Sequence, residues 1–271
     1  RGWFLVTVPG VSFKNLTFDG SGFSIYQMLR FTAAAGGALV EDCDFAHATG
    51  QPLASYDGRG IATQANITVR RCTFTDMRRI GVHIFGSGVT SALVTECTYT
   101  GKGAVDGLDY GIEFGGGAVG TVSLSTITNC IGVALVDSSG SAGVLVTDYF
   151  APGTTASLTG NFITGNSMGV GVGFLATDAS VVVAHGNDLS GNSWGTPTTN
   201  SSVVVDASAN WWGSNVGATI AAYNGTAVDY TPWLHWAGDT GGGAGFQGNY
   251  SVLDVDDDSP QVGTVNRIQE G

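Results

Sequence analysis

A short pattern of apolar and polar residues recurs along the first half of the chain. Apolar and polar positions alternate, two positions are skipped, and the alternation resumes; clear copies span 11–18, 38–45, 67–74 and 92–99. Alternation with a period of two places every second side chain on one face of a strand. The skipped pair therefore predicts a corner between two short strands in each copy.

Shorter copies follow at 122–124, 156–158, 181–183 and 203–205, and several copies are followed by a second apolar strand that starts with glycine, at 81–84, 111–114, 132–135 and 169–172. One such coil cannot bury its apolar face alone, but coils stacked about 4.8 Å apart share a continuous core. We expect an all-β fold, a right-handed parallel β-helix of about eight coils. A β-sandwich fits less well, because its strands do not repeat one motif in one order.

Three cysteines occupy the same position in successive coils, namely Cys43, Cys72 and Cys97. We expect an inward column of small buried thiols. A disulfide would need a specific dihedral angle that neighbours in register rarely supply, and a metal site would need closely spaced pairs such as Cys-x-x-Cys, which are absent from the sequence. Both alternatives are therefore disfavoured.

Asparagines also recur at matching positions, in one column of Asn129, Asn166 and Asn192 and in another of Asn161, Asn187 and Asn210. Side-chain amides stacked in register can hydrogen-bond along the axis as a ladder. The simpler alternative is that asparagine favours turns in general. The glycine that repeats beside the first column favours the ladder.

One charged constellation stands out when the coils are aligned on Gly81 and Gly111. The alignment pairs His83 with Glu113 and Arg79 with Asp109 on neighbouring coils. Because Val82 and Ile84 would face inward, we expect His83 and Glu113 to face solvent. The four residues could process a glycan, with a carboxylate as general acid or base and a cation neutralising a uronate, or they could be ordinary surface ion pairs.

Composition narrows the classes of partner. The net charge is −12 with only 10 basic residues, so a nucleic-acid partner is not expected. No run of 18 apolar residues occurs in the sequence, so we expect no direct membrane insertion. Arg1 leads directly into strand-like sequence, and we expect the chain to be one piece of a longer protein.

The repeats from Val11 to about Leu234 resemble the right-handed β-helix coils of the pectate-lyase-like superfamily, which includes polysaccharide lyases, galacturonases, epimerases, phage tailspikes and surface adhesins. The sequence lacks the galacturonase, pectate-lyase and alginate-epimerase signatures. The resemblance thus implies a fold, and fold alone does not assign a function.

A second resemblance concerns the end of the repeats. The segment Asn210-Trp-Trp-Gly213, followed by 228–234, looks like the closing segment of β-helix modules in very large secreted bacterial proteins. The resemblance implies that Trp211, Trp212 and Trp233 close the stack. It also implies a division into a β-helix (1–236), a glycine-rich linker (237–250) and a tail like the start of a next module (251–271).

The tail carries an acidic run of Asp254, Asp256, Asp257 and Asp258. Carboxylate oxygens suit Ca²⁺, so a calcium site is possible, although the spacing does not match an EF-hand loop. A solvated acidic turn is the alternative. No other cofactor is expected.

These features favour an extracellular structural or adhesive module at a cell surface, which associates with copies of itself or with adjacent modules of the same chain. We expect such association to run end to end and to form a filament or surface layer. The alternatives are a carbohydrate-active enzyme, a lyase or hydrolase using Arg79, His83, Asp109 and Glu113, and a non-catalytic module that binds a polysaccharide. In the last case exposed aromatic residues such as Tyr56 and Tyr110 would stack on sugars.

Overall fold

The computed structural model describes residues 2–49, 58–198, 202–264 and 269. Its strands form three long parallel sheets, called sheets I, II and III below, and the chain visits them in rotation. Strand β1 lies in sheet I, β2 in sheet II and β3 in sheet III, and the next coil repeats this order. The result is a parallel β-solenoid with very little helix, as the repeats predict.

Strands are numbered in chain order. Sheet I contains β1 (Gly2–Val6), β4 (Gln27–Phe31), β7 (Arg59–Thr63), β10 (Ile80–Phe85), β13 (Tyr110–Gly115), β16 (Ala142–Thr147) and β19 (Met168–Val172). Sheet II contains β2 (Ser12–Lys14), β5 (Ala38–Glu41), β8 (Ile67–Arg70), β11 (Ala92–Thr95), β14 (Val119–Ser123), β17 (Thr155–Thr159), β20 (Val181–His185), β21 (Val205–Asp206) and β22 (Val228–Asp229).

Sheet III contains β3 (Thr17–Asp19), β6 (Asp44–Ala48), β9 (Thr73–Met77), β12 (Thr98–Thr100), β15 (Thr126–Thr128) and β18 (Phe162–Thr164). One helix, α1 (Gly217–Tyr223), and an antiparallel pair, β23 (Trp233–Leu234) and β24 (Leu253–Asp254), complete the regular elements. Sheets I and III end before residue 173, and beyond it β20, β21 and β22 continue sheet II alone.

The expected number of coils was too high: the solenoid has about six turns. The copy at 181–183 lies in β20 of sheet II, but of the copy at 203–205 only Val205 lies in a strand, β21, and isolated bridges replace sheets I and III beside them. The predicted strand at 132–135 is also wrong, because the sheet I strand of that coil is β16. Both segments fit the short motif, but 143–146 stacks in register on β13, whereas Leu135 and Val136 are exposed.

Ring stacking joins successive turns inside the solenoid. Phe45 stacks on Phe18 at 4.7 Å between ring centroids and on Phe74 at 4.9 Å, nearly parallel in both cases. Tyr99 continues this column in register. The glycine that opens the sheet I strands leaves room for the column, since a Cβ at Gly81 would lie 2.6 Å from the Tyr99 ring. Close packing therefore explains the recurring glycine.

The cysteines line the corner between sheets II and III. Cys43, Cys72 and Cys97 are buried and unpaired, and their thiols lie near backbone carbonyl oxygens, as Cys72 does with Arg70 at 3.3 Å. In the following turns a serine and then an asparagine take the place of the cysteine. The backbone N–H of Cys97 donates to the Ser125 side chain, and the backbone N–H of Ser125 donates to the Asn161 side chain. One corner thus carries thiols in early turns and amides in later ones.

Asparagine amides form two ladders. Nδ2 of Asn161 donates to Asn187 at 2.9 Å, and Nδ2 of Asn187 donates to Asn210 at 3.0 Å. In the other ladder Nδ2 of Asn166 donates to Asn192 at 3.1 Å.

Asn129 does not join this second ladder, contrary to the expected column. Its amide donates to the carbonyl of Gly101, and the neighbouring Cys130 stands in register with Asn166 instead. Asn129 has a φ of 65°, a left-handed conformation that asparagine tolerates well. Its place is therefore explained by the turn and not by a ladder.

The last turn is closed by aromatic residues and by the tail. Trp212 and Trp233 are buried, whereas Trp211 is half-buried. Strand β24 pairs with β23, and the backbone N–H of Val262 donates to Asp229 at 2.6 Å. The segment expected to be a flexible linker also packs against the solenoid, with Phe246 buried against Phe162. The proposed module boundaries remain predictions.

Candidate functional site

A cavity of about 340 Å³ lies on the outer face of sheet I. Its floor is formed by outward side chains of the sheet, including Arg59, Arg79, His83, Tyr110 and Glu113, and its walls by connecting segments that carry Leu108, Ser139, Tyr149, Phe150 and Phe174. We call it the His83 cavity. Its volume falls within the range of small-molecule sites.

His83 and Glu113 lie side by side on this floor. They are paired in register between β10 and β13, as the sequence alignment predicts, and Nε2 of His83 lies 3.7 Å from Oε1 of Glu113. The expected exposure was wrong, since only 4% of His83 and 8% of Glu113 is accessible. Both side chains project from the outer face of sheet I, as expected, but the connecting segments cover them.

The His83 ring forms no hydrogen bond to a described residue, and its surroundings favour the neutral form. Neither ring nitrogen is bonded to any of the described residues. Burial lowers the pKa of His83 well below its usual value, and the positive charges of Arg59, Arg30 and Arg79 lower it further. The ring also stacks on Phe85 at 4.4 Å, which fixes its plane. An unpartnered, neutral imidazole in a cavity can accept a proton from a bound ligand.

The pKa of Glu113 is shifted upward, whereas that of His83 is shifted downward. Burial raises the pKa of its carboxyl group, and the charges of Arg79 and Arg59 offset this only in part. Within the part of the chain that the structure describes, Glu113 is the single acidic residue lining the cavity. A neutral base and a carboxylic acid with a raised pKa therefore stand next to each other, a pairing typical of acid–base sites.

The predicted pair of Arg79 and Asp109 does not form. The Asp109 carboxylate is fully buried on the other side of the strand, where it accepts a hydrogen bond from the Tyr99 hydroxyl and one from the backbone N–H of Lys102 at 2.8 Å. Arg79 instead lies over the Tyr110 ring, 5.1 Å from its centroid. Asp109 thus belongs to the interior, and it leaves Arg79 available to a ligand.

Sequence reasoning missed two arginines of the same face. Arg30 shares the outer column with Ala62, which itself stands beside His83, and Arg59 is in register with Ile80. A glycine marks the start of the aligned sheet I strands, but Met28 occupies that position in β4, where Gln27 pairs with Arg59. Counting outward from Met28 would have placed Arg30 in the His83 column.

The aromatic rim of the cavity is held in place by one aspartate. Asp178 accepts hydrogen bonds from the Thr147 hydroxyl at 2.7 Å and from the backbone N–H of Phe174 at 3.1 Å. These bonds tie together the two segments that carry Tyr149, Phe150 and Phe174, whose rings contact one another edge to face. All three rings are largely exposed, and sugars commonly stack on such surfaces.

Two aromatic residues were expected to be exposed. Tyr110 is instead buried in the cavity floor, and burial raises its pKa to about 12. Tyr56 lies outside the described residues.

The acidic run of the tail does not converge on one point. Asp254 is bonded to His235, with 2.7 Å between Oδ2 and Nδ1, and Asp256 accepts from the backbone N–H of Asp258. No group of three His, Cys, Asp or Glu residues suited to a metal ion occurs in the described ranges. The calcium site stays a prediction. Over the same ranges, the helix is too short to cross a bilayer.

In comparisons with known proteins, no family model, no curated protein and no solved structure matches this chain.

Proposed function

We propose that this β-solenoid is a carbohydrate-active protein that binds an acidic saccharide in the His83 cavity and cleaves it by elimination. The observation that carries the proposal is the buried, unpartnered His83 ring beside Glu113 and two arginines. A structural ion pair would satisfy its polar groups internally, whereas a ligand site leaves them free. The cavity is lined by two arginines and one glutamate, although the whole protein has a net charge of −12. This local excess of positive charge favours an anionic ligand.

The arrangement favours elimination over hydrolysis. Hydrolysis of a glycosidic bond usually requires two carboxyl groups that flank the bond. Glu113 supplies one, but the nearest candidate for a second, Asp109, is turned into the interior. Uronic acids offer another route, because the C–H bond next to their carboxylate becomes acidic once cations neutralise that carboxylate. Arg59 and Arg79 line the cavity and can do so.

The proposed step balances without any further reactant. Neutral His83 removes the proton from the carbon next to the carboxylate, and the electron pair forms a carbon–carbon double bond as the neighbouring C–O bond breaks. Glu113 in its acid form donates a proton to the leaving oxygen. The two side chains are 3.7 Å apart, so the proton on His83 can return to Glu113 and restore both groups.

The test is turnover of uronic-acid polysaccharides, followed by the unsaturated sugar ends that elimination creates. His83→Gln and Glu113→Gln should each lower kcat by about 10²–10⁴-fold, the usual contribution of a general acid or base. His185→Gln is the matched control, because His185 pairs with Asp206 on sheet II, away from the cavity. Full activity in both cavity variants would contradict the roles, and binding without turnover by the unaltered protein would favour a binding module.

A second candidate function rests on a different observation. The first turn leaves a cluster of apolar side chains exposed around a shallow depression, namely Trp3, Phe4, Leu16 and Phe23. Strand β1 also has a neighbour on one side only among the described strands. We propose that this end stacks on an adjacent module or on a second copy, as expected of a structural or adhesive array.

Sedimentation and electron microscopy at increasing protein concentration test the stacking. End-to-end particles that are lost in a Trp3→Ser, Phe23→Ser double variant would support it. Monomers alone at high concentration would contradict self-association.

A further inference from the structure

A second cavity of about 320 Å³ adjoins the first on the outer face of sheet I. It is lined by Tyr26, Gln27, Arg30 and Phe85, together with Arg59, His83 and Phe150, and we call it the Arg30 cavity. The last three residues also line the His83 cavity. The two cavities therefore meet at the His83 ring.

The Arg30 cavity carries two positive charges close together, those of Arg30 and Arg59. Arg30 and Arg59 lie on adjacent strands, and burial together with the charge of Arg59 lowers the pKa of Arg30. Within the described ranges neither guanidinium forms an ion pair, and Arg30 donates to the neutral side chain of Gln64. Two like charges held together without a carboxylate favour an anion between them.

Two further polar atoms in this cavity lack a partner. Oε1 of Gln27 and Nε of Arg59 are buried and bonded to no described residue, and both side chains are more than nine-tenths buried. Unsatisfied buried polar groups cost stability, so they are uncommon unless a ligand or water completes them. A hydroxylated anionic ligand could accept from Arg59 and donate to Gln27.

The arginines are also held in fixed planes. The Arg30 guanidinium lies 4.6 Å from the Phe85 ring centroid, and that of Arg59 lies 5.4 Å from the Tyr26 ring. Stacking on a ring leaves the edges of a guanidinium free for two parallel hydrogen bonds to one carboxylate. The cavity is therefore arranged before any ligand arrives.

We propose that the Arg30 cavity binds a second uronate unit, so that the ligand is an acidic oligosaccharide laid along the solenoid axis with the scissile bond at His83. This inference rests on the proposed function and adds a subsite to it. Strands of sheet I are about 4.8 Å apart, so the three spacings from β4 to β13 span about 14 Å. That length exceeds one sugar ring and accommodates at least two linked units.

The experiment is calorimetric titration of the whole chain with uronic-acid oligosaccharides of one to four units and with neutral oligosaccharides of the same lengths. For the unaltered protein, affinity should rise about tenfold or more from one uronate unit to two, since the second carboxylate gains charge-assisted bonds. Arg30→Gln should abolish most of this rise and leave the affinity for the single unit unchanged. Gln27→Met, which keeps the side-chain volume, should reduce the rise in the same way.

Arg70→Gln is the control for the loss of one positive charge, because Arg70 lies on sheet II and pairs with Glu41. A rise that persists in both Arg30→Gln and Gln27→Met, or no rise in the unaltered protein, would overturn the second subsite while single-unit binding preserved the proposed function. Absence of binding to every acidic saccharide would overturn both. An equal rise with the neutral oligosaccharides would overturn the assignment to uronates.

Discussion

Two columns of polar side chains run along this solenoid, and they are built in opposite ways. In the corner column of Asn161, Asn187 and Asn210, each amide is bonded to the next and to backbone carbonyls. In the outer column of sheet I, His83 has no hydrogen-bond partner among the described residues at either ring nitrogen, and nearby Gln27 and Arg59 each leave one polar atom bonded to none of them. Both columns are buried, so burial alone does not distinguish a structural column from a ligand site. The distinguishing feature is whether the buried polar groups have hydrogen-bond partners within the protein.

The largest expected effect on stability concerns the satisfied column. Asn187→Ala removes the side-chain oxygen that both N–H groups of Asn161 use, and it leaves the buried backbone N–H of Asn161 unpaired. It also removes the side-chain amide donor to Leu158 and Asn210, although the backbone N–H of residue 187 still donates to Asn210. We expect the free energy of unfolding to fall by about 3 kcal/mol, since each unsatisfied buried group costs about 1–3 kcal/mol. Urea unfolding followed by circular dichroism measures it.

Asn129→Gly is the matched control, because Asn129 makes one bond outside the ladders and glycine keeps its left-handed backbone. Its loss should be about 1 kcal/mol or less. Equal losses in the two variants would contradict the expectation that a ladder amide contributes more to stability than an amide outside the ladders.

Two buried glutamates sharpen the contrast. Glu41 on sheet II is surrounded by Lys14, Arg70 and Arg71, and these contacts, led by the hydrogen bond from Lys14, lower its pKa to about 2. Glu113 on sheet I has a raised pKa. Glu113→Gln should therefore raise the free energy of unfolding, by on the order of 1 kcal/mol, even as it removes activity. Glu41→Gln should lower it.

The two glutamates also predict opposite pH dependence. The stabilisation from Glu41 should be complete above pH 4.5 and be lost as the pH falls toward 2, because the unfolded carboxylate binds a proton first. Glu113 should destabilise the fold as the pH rises above 4.5, because its folded pKa is the higher one. Unfolding curves of the two glutamine variants against pH test both signs. The same sign in both would contradict the assigned environments.

His83 should make the fold less stable in mild acid. Its folded pKa lies below the unfolded value of about 6.5, so the unfolded state binds the proton first as the pH falls. Thermal melts between pH 7.5 and about 5 should show a loss for the unaltered chain that His83→Gln reduces. Identical pH dependence in the two proteins would indicate a solvated ring.

The smallest expected effect on stability is at the rim. Phe150 is 63% exposed, so Phe150→Ala should change the free energy of unfolding by less than about 0.5 kcal/mol. Because its ring lines both cavities, the same variant should weaken binding of acidic oligosaccharides several-fold. Val181→Ala, an exposed change on sheet II, serves as the control for nonspecific loss. Unchanged affinity in Phe150→Ala would contradict a role of the aromatic rim in ligand binding.

The local repeat carried much of the architecture. Alternation and the two-residue skip predict the strands of sheets II and III, and the aligned glycines predict the pairing of His83 with Glu113. These inferences succeed because side-chain direction in a strand depends on a period of two. They fail at 132–135, where a segment with the same motif leaves the sheet and β16 takes its place.

By itself, the sequence determined which residues alternate, which positions repeat from turn to turn and how much charge the chain carries. Only the tertiary structure decided that His83 and Glu113 are buried, because the segments that cover them come from other turns of the solenoid. It also decided that Asp109 turns inward, that Arg59 lines the His83 cavity and that Arg30 lines the adjoining one. Burial and neighbouring charge depend on contacts between residues far apart in the chain. Neither the two-residue alternation of a strand nor the repeat of one solenoid turn encodes such contacts.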